Sequence, residues 1–219
     1  MNLIPLLADR ISNKLFLIKS FSIPKYSYLV IMKSLHFVSS NRNKYLEIQS
    51  HLQQKYGVVV EFSNQRLIEI QSDSIKEIAV EKSKSAFALI SKPVIVEDDG
   101  LFIDELGGFP GQYSSYAYKT IGNNGILKLL SNSKQRFAAF KSFFAFCSDG
   151  ENPLSFEGEV EGKVSYNITE GGWGYDPIFI PDGSSLTFGQ LQMVDRKIEF
   201  SHRSKALSKF AQWYKQKYE

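Results

Sequence analysis

The stretch Leu35–Lys44, with the sequence LHFVSSNRNK, sets the pattern that the rest of the chain repeats. Its first four residues are mostly apolar and predict a buried strand over 35–39. The residues that follow predict a helix over about 42–55, because apolar or aromatic side chains recur at helical spacing before the stop signal Gly57. These side chains are Tyr45, Ile48, Leu52 and Tyr56.

The same alternation of strand and helix continues through the chain. Apolar runs predict strands over 58–60, 94–96, 137–147 and 154–166. Amphipathic spacing predicts helices over about 74–91, 124–130 and 202–217. The last helix carries its apolar residues on one face, namely Leu207, Phe210, Trp213 and Tyr214. Strand–helix alternation followed by two long strands predicts an α/β fold with one mixed sheet, flanking helices and two lobes around a cleft.

Composition excludes several classes of protein. The 219 residues are 43% hydrophobic and 22% charged, which is typical of a soluble globular chain and excludes disorder and collagen-like repeats. Cys147, the only cysteine, lies in an apolar run and is expected to be a buried small hydrophobe in a reducing, cytoplasmic compartment. No apolar run is long enough for a membrane span.

The net charge of +3 does not indicate a nucleic-acid-binding protein. Residues 1–31 contain four basic residues and one acidic residue, so the remainder is balanced at 22 of each. A neutral body has no general attraction for polyanions. Because residues 1–31 also lack the strand–helix pattern, we expect one domain over 32–219 and an extension before it, with Met32 as the true start.

The polar run Ser39–Lys44 lies between a predicted strand and a predicted helix. Free N–H groups and the helix dipole make a helix N-terminus a natural anion site, and Lys44 in the first turn is unfavourable unless an anion lies nearby. The alternative is an ordinary Ser or Asn cap with a solvated lysine. The segment is not a P-loop, because it lacks the framing glycines.

Three consecutive carboxylates, Glu97, Asp98 and Asp99, follow the predicted strand 94–96. Their mutual repulsion is relieved by a divalent cation, and oxygen ligands favour Mg²⁺, with Mn²⁺ as an alternative. Strand alternation predicts that Glu97 and Asp99 point one way and Asp98 the other. The competing interpretation is a solvated acidic turn.

Two further segments have polar residues in unusual places. Gly171–Pro177, with the sequence GGWGYDP, suits a loop that lets a flat ring approach the backbone, although a structural turn with aromatic packing has the same composition. Ser201 is a natural cap for the last helix, which leaves His202 and Arg203 in a first turn that disfavours cations. With Lys197 nearby, an anionic or carbonyl-bearing ligand explains them. The four segments together suit a nucleoside triphosphate and its metal.

From Leu35 onward the chain resembles the inosine triphosphate pyrophosphatase family. The resemblance rests on four motifs in the family's order: FVSSNRNK, VEDDGLFIDELGGFPGQYSS, GGWGYDPIFIP and SHRSKAL. It implies an elongated α/β fold with a central cleft, a cytoplasmic homodimer, and Mg²⁺-dependent hydrolysis of ITP, dITP and XTP to the monophosphate and pyrophosphate.

The resemblance also implies roles for individual residues. Asp98 matches the general base, and the metal ligands are expected to be Glu69, Glu97 and Asp98. Lys82 matches a phosphate-contacting lysine, and Asp99 a substrate-binding position. The other expected substrate-binding residues are Ser39, Ser40, Asn41, Arg42, Asn43, Lys44, Trp173, Gly174, Tyr175, Asp176, Lys197, His202 and Arg203.

Two positions depart from the family pattern: Asp99 stands where Ser or Thr is common, and Gln190 replaces a usual Glu. Two other functions stay open at this point. The aromatic and basic residues also suit a single-strand nucleic-acid-binding module, which the neutral body disfavours. A nucleotide-binding regulatory protein without turnover is the other alternative.

Overall fold

The computed structural model describes residues 34–218, so the expectations for residues 1–31 lie outside the described part of the chain. Seven strands form the sheet: β1 Leu35–Val38, β2 Val60–Ser63, β3 Val94–Ile103, β4 Pro110–Gly111, β5 Phe137–Cys147, β6 Leu154–Val164 and β7 Phe179–Pro181. Within residues 34–218, seven α-helices accompany them: α1 Arg42–Tyr56, α2 Ile75–Ile90, α3 Ser114–Thr120, α4 Gly122–Leu129, α5 Phe188–Met193, α6 Lys197–Phe200 and α7 His202–Tyr218.

The sheet is mixed, as the strand–helix pattern predicts. Its strand order is β2-β1-β3-β5-β6-β7, and the short β4 pairs with β3. β1 runs parallel to β2 and β3, whereas β3, β5, β6 and β7 pair antiparallel in succession. The α/β class with flanking helices is therefore confirmed.

Local signals explain where the first helices begin and end. The Asn41 side chain accepts hydrogen bonds from the N–H groups of Asn43 and Lys44, which caps α1. Gly57 then ends α1 with a φ of 69°, in the left-handed region that glycine adopts without strain. The Ser74 side chain caps α2 in the same way as Asn41 caps α1.

Four strand predictions differ from the observed bounds. The strands predicted over 35–39 and 154–166 end slightly earlier, at Val38 and Val164, and two others differ more. The strand predicted over 58–60 begins at Val60, because the N–H of Val58 bonds to the Leu52 carbonyl and closes the end of α1. The strand predicted over 94–96 continues to Ile103 as β3. The competing interpretation of Glu97–Asp99 as a solvated acidic turn is therefore wrong, because these residues are extended backbone and ten consecutive residues of β3 pair with β5.

The long strand β3 connects two separate apolar cores. Ile95, near its start, packs with residues of α1 and α7, whereas Leu101 and Ile103, near its end, pack with residues of α4, β6 and α5. The acidic residues lie between these two apolar stretches. A single strand therefore places its charged middle at the junction of two lobes.

A glycine lets α7 approach the sheet closely. A Cβ on Gly158 of β6 would overlap the backbone of His202 and Ala206, at the start of α7. Only a residue without a side chain permits this packing. The contact brings the first turn of α7 against the sheet, beside the acidic part of β3.

Cys147 lies at the end of β5 and is fully buried, as expected. It packs in a third apolar cluster beneath α2, together with Val94 and Ala86. Within residues 34–218, no helix combines the length and apolarity that crossing a membrane requires.

We predict that Gly158→Ala lowers the free energy of unfolding by about 1–3 kcal/mol, because the added methyl group forces α7 away from β6. Urea unfolding measures the change. Glu161→Ala, at an exposed position of the same strand, is the control and is expected to change stability by less than about 0.5 kcal/mol. Equal stability of the two variants would contradict the close-packing argument.

Candidate active site

A cleft of about 520 Å³ lies at the junction of the two lobes, within the size range of small-molecule sites. It collects residues that are far apart in the sequence, from β1 through α7. The sequence-predicted residues that line it are Ser39, Ser40, Asn41, Asn43, Lys44, Glu69, Lys82, Asp98, Asp99, Trp173, Gly174, Tyr175, Asp176, His202 and Arg203. The convergence predicted from the motifs is therefore present in the folded chain.

Three predicted residues do not line this cleft. Arg42 is exposed, because it lies two helical positions from Lys44 and so projects from another side of α1. Glu97 lies beneath the cleft with its side chain fully buried. Lys197 is buried behind Trp173 and faces a second groove, between α1 and α7.

Two polar side chains of the loop before α1 accept hydrogen bonds from nearby backbone N–H groups. Ser39 Oγ accepts a hydrogen bond from the N–H of Asn41, and Asn41 caps the helix. The Asn41 side chain thus does what the simpler interpretation expected of it, a helix cap. Ser40, by contrast, is exposed and lines the cleft without a hydrogen bond from its side chain to any of residues 34–218.

Lys44 forms ion pairs with carboxylates of the protein itself. Its ammonium group pairs with the Asp99 carboxylate and lies 3.5 Å from Glu97 Oε2. Burial lowers the pKa of Lys44, but the two carboxylates raise it by more, so the side chain stays charged. The carboxylates of β3 therefore compensate the unfavourable position of this cation in the first turn of α1.

The three acidic residues of β3 divide between the two faces of the sheet, as strand alternation predicts. Glu97 and Asp99 both contact Arg203 of α7, whereas Asp98 lies 3.9 Å from Lys82 of α2. Both oxygens of Glu97 accept hydrogen bonds from Arg203 Nε, and Ser142 Oγ donates to one of them. The expectation that Glu97 is a metal ligand therefore does not fit its contacts, because both of its oxygens already serve buried donors.

Arg203 is the central cation of the site and is only 2% exposed. Its guanidinium donates to Glu97, to Glu47 and, at 2.7 Å, to Asp99 Oδ2. Burial lowers its pKa, and the three carboxylates raise it well above the usual value. Burial raises the pKa of Asp99, but Lys44 and Arg203 outweigh it and keep this pKa well below its usual range.

Glu47 of α1 is a site residue that the sequence analysis missed. It accepts hydrogen bonds from Trp173 Nε1 at 2.8 Å, from Lys197 Nζ at 2.9 Å and from Arg203. Burial raises the pKa of Glu47, but the attraction of Arg203 and Lys197 outweighs this effect and lowers the pKa to about 2. The available signal was its position one helical turn after Lys44, on the same side of α1.

Asp98 and Glu69 share a lysine on the opposite face of β3. Lys82 Nζ donates to Glu69 and lies 3.9 Å from Asp98 Oδ2. It also donates to the Glu97 carbonyl at 3.3 Å, which fixes the lysine against the strand. Burial raises the pKa of Asp98 to about 6, although Lys82 and Lys44 act to lower it.

His202 is a buried histidine with two unsatisfied nitrogens. It is 2% exposed, and neither ring nitrogen has a hydrogen-bond partner among residues 34–218. Nε2 lies 3.7 Å from Asp99 Oδ2, beyond hydrogen-bond range, and the ring stacks on Phe140 with centroids 4.6 Å apart. Burial lowers its pKa, so the neutral ring presents a donor and an acceptor to the cleft.

The two aromatic residues in the loop after β6, Trp173 and Tyr175, have different surroundings. Trp173 lies with its ring against the cations of Lys197 and Arg203, at 5.4 Å and 5.3 Å from the ring centroid. Tyr175 is buried in the second core and donates its hydroxyl to the Ser114 carbonyl. Trp173 is therefore the freer of the two rings for contact with a ligand.

Asp176 fixes the shape of this loop. Its carboxylate accepts from the Trp173 N–H at 3.1 Å and from Lys197 Nζ at 2.7 Å. Gly172 must be glycine, because its φ is 68° and a Cβ there would overlap the Asp176 carboxylate. Gln190 completes a capping box with Thr187 at the start of α5, a role that Glu and Gln both perform, so the departure at this position keeps the helix start intact.

Comparison with known proteins agrees with this arrangement. Residues 35–213 match the model of the Ham1 family. The chain is 47% identical over 180 residues to the dITP/XTP pyrophosphatase of Methanopyrus kandleri, covering 82% of this chain and 95% of that protein. It is 42% identical over 177 residues to the dITP/XTP pyrophosphatase of Korarchaeum cryptofilum, covering 81% and 94%.

Solved structures show the same likeness. A HAM1 protein from Coxiella burnetii has a TM-score of 0.72 and 26% identity, covering 84% of this chain and all of that one. The Staphylococcus aureus Ham1 protein has a TM-score of 0.69 and 26% identity, covering 83% and 99%. The chain belongs to the Ham1 family, which confirms the resemblance seen in the four motifs.

We predict that Glu47→Gln destabilises the protein in a pH-dependent way. A lowered carboxyl pKa contributes stability above the ordinary value of 4.5, and this contribution disappears as the pH falls toward about 2. The loss in unfolding free energy is expected to be on the order of 1–3 kcal/mol at pH 7 and to shrink by pH 3.

Urea unfolding at pH 7, 5 and 3 measures this loss. Glu161→Gln, at an exposed position, is the control and is expected to have little effect at any of these pH values. A penalty for Glu47→Gln that is the same at pH 7 and pH 3 would show that the carboxylate charge does not stabilise the site.

Proposed function

We propose that this protein hydrolyses the non-standard purine nucleoside triphosphates ITP, dITP and XTP to the corresponding monophosphate and pyrophosphate. The relatives in Methanopyrus kandleri and Korarchaeum cryptofilum bear the name dITP/XTP pyrophosphatase and align over almost their full length. Water attacks the α-phosphorus, the bond to the bridging oxygen breaks, and pyrophosphate leaves. The homodimeric state and cytoplasmic location implied by the resemblance stay predictions.

One observation supports the proposal most directly: the cleft lining combines two chemically different sets of groups. Cations and hydroxyls, including Lys44, Lys82 and Ser40, form one set. Trp173 and the unsatisfied ring of His202 form the other. A nucleoside triphosphate likewise combines a polyphosphate with a flat heterocycle that has polar edges.

The donor set fits a magnesium ion held jointly by protein and substrate. Within residues 34–218 no group of three His, Cys, Asp or Glu side chains forms a metal site alone. Mg²⁺, however, commonly uses only one or two carboxylates and completes its coordination with water and substrate phosphates. Glu69 and Asp98, which both lie near Lys82, would hold it, and it would neutralise phosphate charge.

The protein's own residues have distinct tasks in this mechanism. Asp98 orients the attacking water and accepts its proton, because among the three β3 carboxylates it is the one that lines the cleft without contacting Arg203. Lys82 contacts the charge that builds on the leaving pyrophosphate. Lys44 contributes once phosphate competes with Asp99 for its ammonium group.

Selectivity follows from the buried donors at the base end. ITP and XTP carry a 6-keto acceptor, whereas ATP carries a 6-amino donor. His202 and the Arg203 guanidinium supply donors beside Trp173. An adenine ring would leave these donors unpaired, at a cost of about 1–3 kcal/mol each.

A substrate panel tests the proposal. Purified protein with Mg²⁺ is given ITP, XTP, dITP, GTP, ATP and UTP, and pyrophosphate and orthophosphate are measured separately. We expect pyrophosphate release, greatest with ITP, dITP and XTP. Orthophosphate as the direct product, or equal rates with ATP and ITP, would overturn the proposal.

We predict that Asp98→Asn lowers kcat for ITP by at least about 100-fold, because the amide cannot accept the proton of the attacking water. Steady-state kinetics on the folded variant measures the effect. Asp104→Asn, at an exposed position just beyond β3, is the matched control and is expected to keep normal turnover. Near-normal kcat for Asp98→Asn would remove Asp98 from the role of general base.

We predict that His202→Phe reduces the preference for ITP over ATP by about tenfold in kcat/KM, because one donor to the keto oxygen is lost. The phenyl ring keeps the stacking on Phe140, so the buried packing is largely preserved. A ratio of two substrates does not depend on the fraction of folded enzyme. An unchanged ratio would show that His202 does not select the base.

A further inference from the structure

Asp99 of β3 joins two cations of the cleft, Lys44 and Arg203. Its Oδ1 atom accepts a hydrogen bond from the Lys44 ammonium group, and its Oδ2 atom accepts one from Arg203 Nη2 at 2.7 Å. The side chains of Asp99 and Lys44 both line the cleft and keep exposed fractions of 16% and 12%. A ligand in the cleft can therefore reach the ion pair that these two side chains form.

The two cations depend on Asp99 to different degrees. Arg203 also donates to Glu97 at 2.8 Å and to Glu47, so its charge stays compensated without Asp99. Within the described part of the chain, Lys44 has only one other carboxylate within 4 Å, that of Glu97, whose Oε2 lies 3.5 Å from the ammonium nitrogen. Loss of the Asp99 charge is therefore expected to act mainly on Lys44.

A phosphate group and the Asp99 carboxylate are attracted to the same ammonium group. Both are anionic oxygen acceptors that form charge-assisted hydrogen bonds with a lysine. Two anions that share one ammonium group lie close together, and their like charges repel each other. The carboxylate also compensates the charge that would attract the phosphate. Asp99 thus opposes the binding of a polyphosphate at Lys44.

We propose that Asp99 is a positioning residue that competes with phosphate for Lys44 and so weakens the binding of polyphosphate ligands in the cleft. This inference rests on the proposed function, in which the ligand is first the substrate and then the pyrophosphate product. The Lys44 ammonium group contacts phosphate while the ligand is bound and pairs again with Asp99 when pyrophosphate leaves. Asp99 acts through Lys44 and not as a contact of the nucleotide, which differs from the substrate-binding role that the resemblance implies.

Calorimetry on the full chain in Mg²⁺ buffer tests this competition, with pyrophosphate as the probe. Pyrophosphate is titrated into the wild type and into Asp99→Asn, which keeps the size of the side chain and removes its charge. We expect the variant to bind pyrophosphate about tenfold more tightly than the wild type. A metal-ligating, substrate-contacting or merely structural Asp99 would give unchanged or weaker binding, and either result would overturn the inference.

Lys44→Gln shows whether the gain in affinity depends on the lysine. In this background the further change Asp99→Asn is expected to alter pyrophosphate affinity by less than about twofold, because no ammonium group then holds a phosphate beside Asp99. An equal gain with and without Lys44 would contradict the inference.

Asp104→Asn is the matched control, since it removes the same charge from an exposed position just beyond β3. Its pyrophosphate affinity is expected to stay within about twofold of the wild type, because solvent and salt screen an exposed charge. A tenfold gain in this control would show a general effect of net charge and would also overturn the inference.

Asp99→Ser provides a second variant in case Asp99→Asn does not fold. It removes the same charge with a smaller side chain, and the same gain in pyrophosphate affinity is expected. Failure of both variants to fold would assign Asp99 to the stability of the fold and overturn the inference.

Steady-state kinetics with ITP adds an independent readout. KM is expected to fall in the folded Asp99 variants together with the Kd of pyrophosphate, whereas a higher KM would indicate a lost substrate contact and contradict the inference. Failure of the proposed function has a different signature, namely no pyrophosphate release from ITP by the wild type. Because pyrophosphate binding is measured directly, the two failures are distinguishable.

Discussion

The buried contact of Arg203 with three carboxylates is the interaction on which the site depends. Glu97 and Asp99 come from the central strand and Glu47 from the first helix, so one guanidinium joins β3, α1 and α7. Removing one partner of a buried ion pair leaves a charge without compensation, which is far more costly than the pair itself is stabilising. The carboxylates of β3 and the arginine at the start of α7 therefore depend on each other for charge compensation.

This constraint also explains the two-lobed arrangement. A strand of ten residues has apolar ends in separate cores and a charged middle between them. Charged residues there prevent the two cores from merging, and the cleft opens at that point. The close packing of α7 on Gly158 brings the compensating cations to the same place.

The cations of the site differ in how fully the protein compensates their charge. Arg203 in the cleft and Lys197 behind Trp173 are neutralised by the protein's own carboxylates, so they orient neighbouring groups and hold Trp173. Lys119 also lines the cleft, and its side chain makes no ion pair or hydrogen bond with any of residues 34–218. A polyphosphate is attracted to the cations whose charge is not compensated.

The sequence by itself determined the α/β class, the approximate bounds of the four longest helices and the four segments that form the cleft, because hydrophobic periodicity and capping residues are local properties. It did not indicate the short helices α3, α5 and α6. It also predicted which β3 carboxylates share a face, since alternation along a strand is local too. Only the tertiary structure decided that Glu97 forms an ion pair with Arg203, that Glu47 belongs to the site and that Arg42 does not line the cleft. These outcomes depend on which partner each charge meets, and the partners are up to 156 residues apart in the chain.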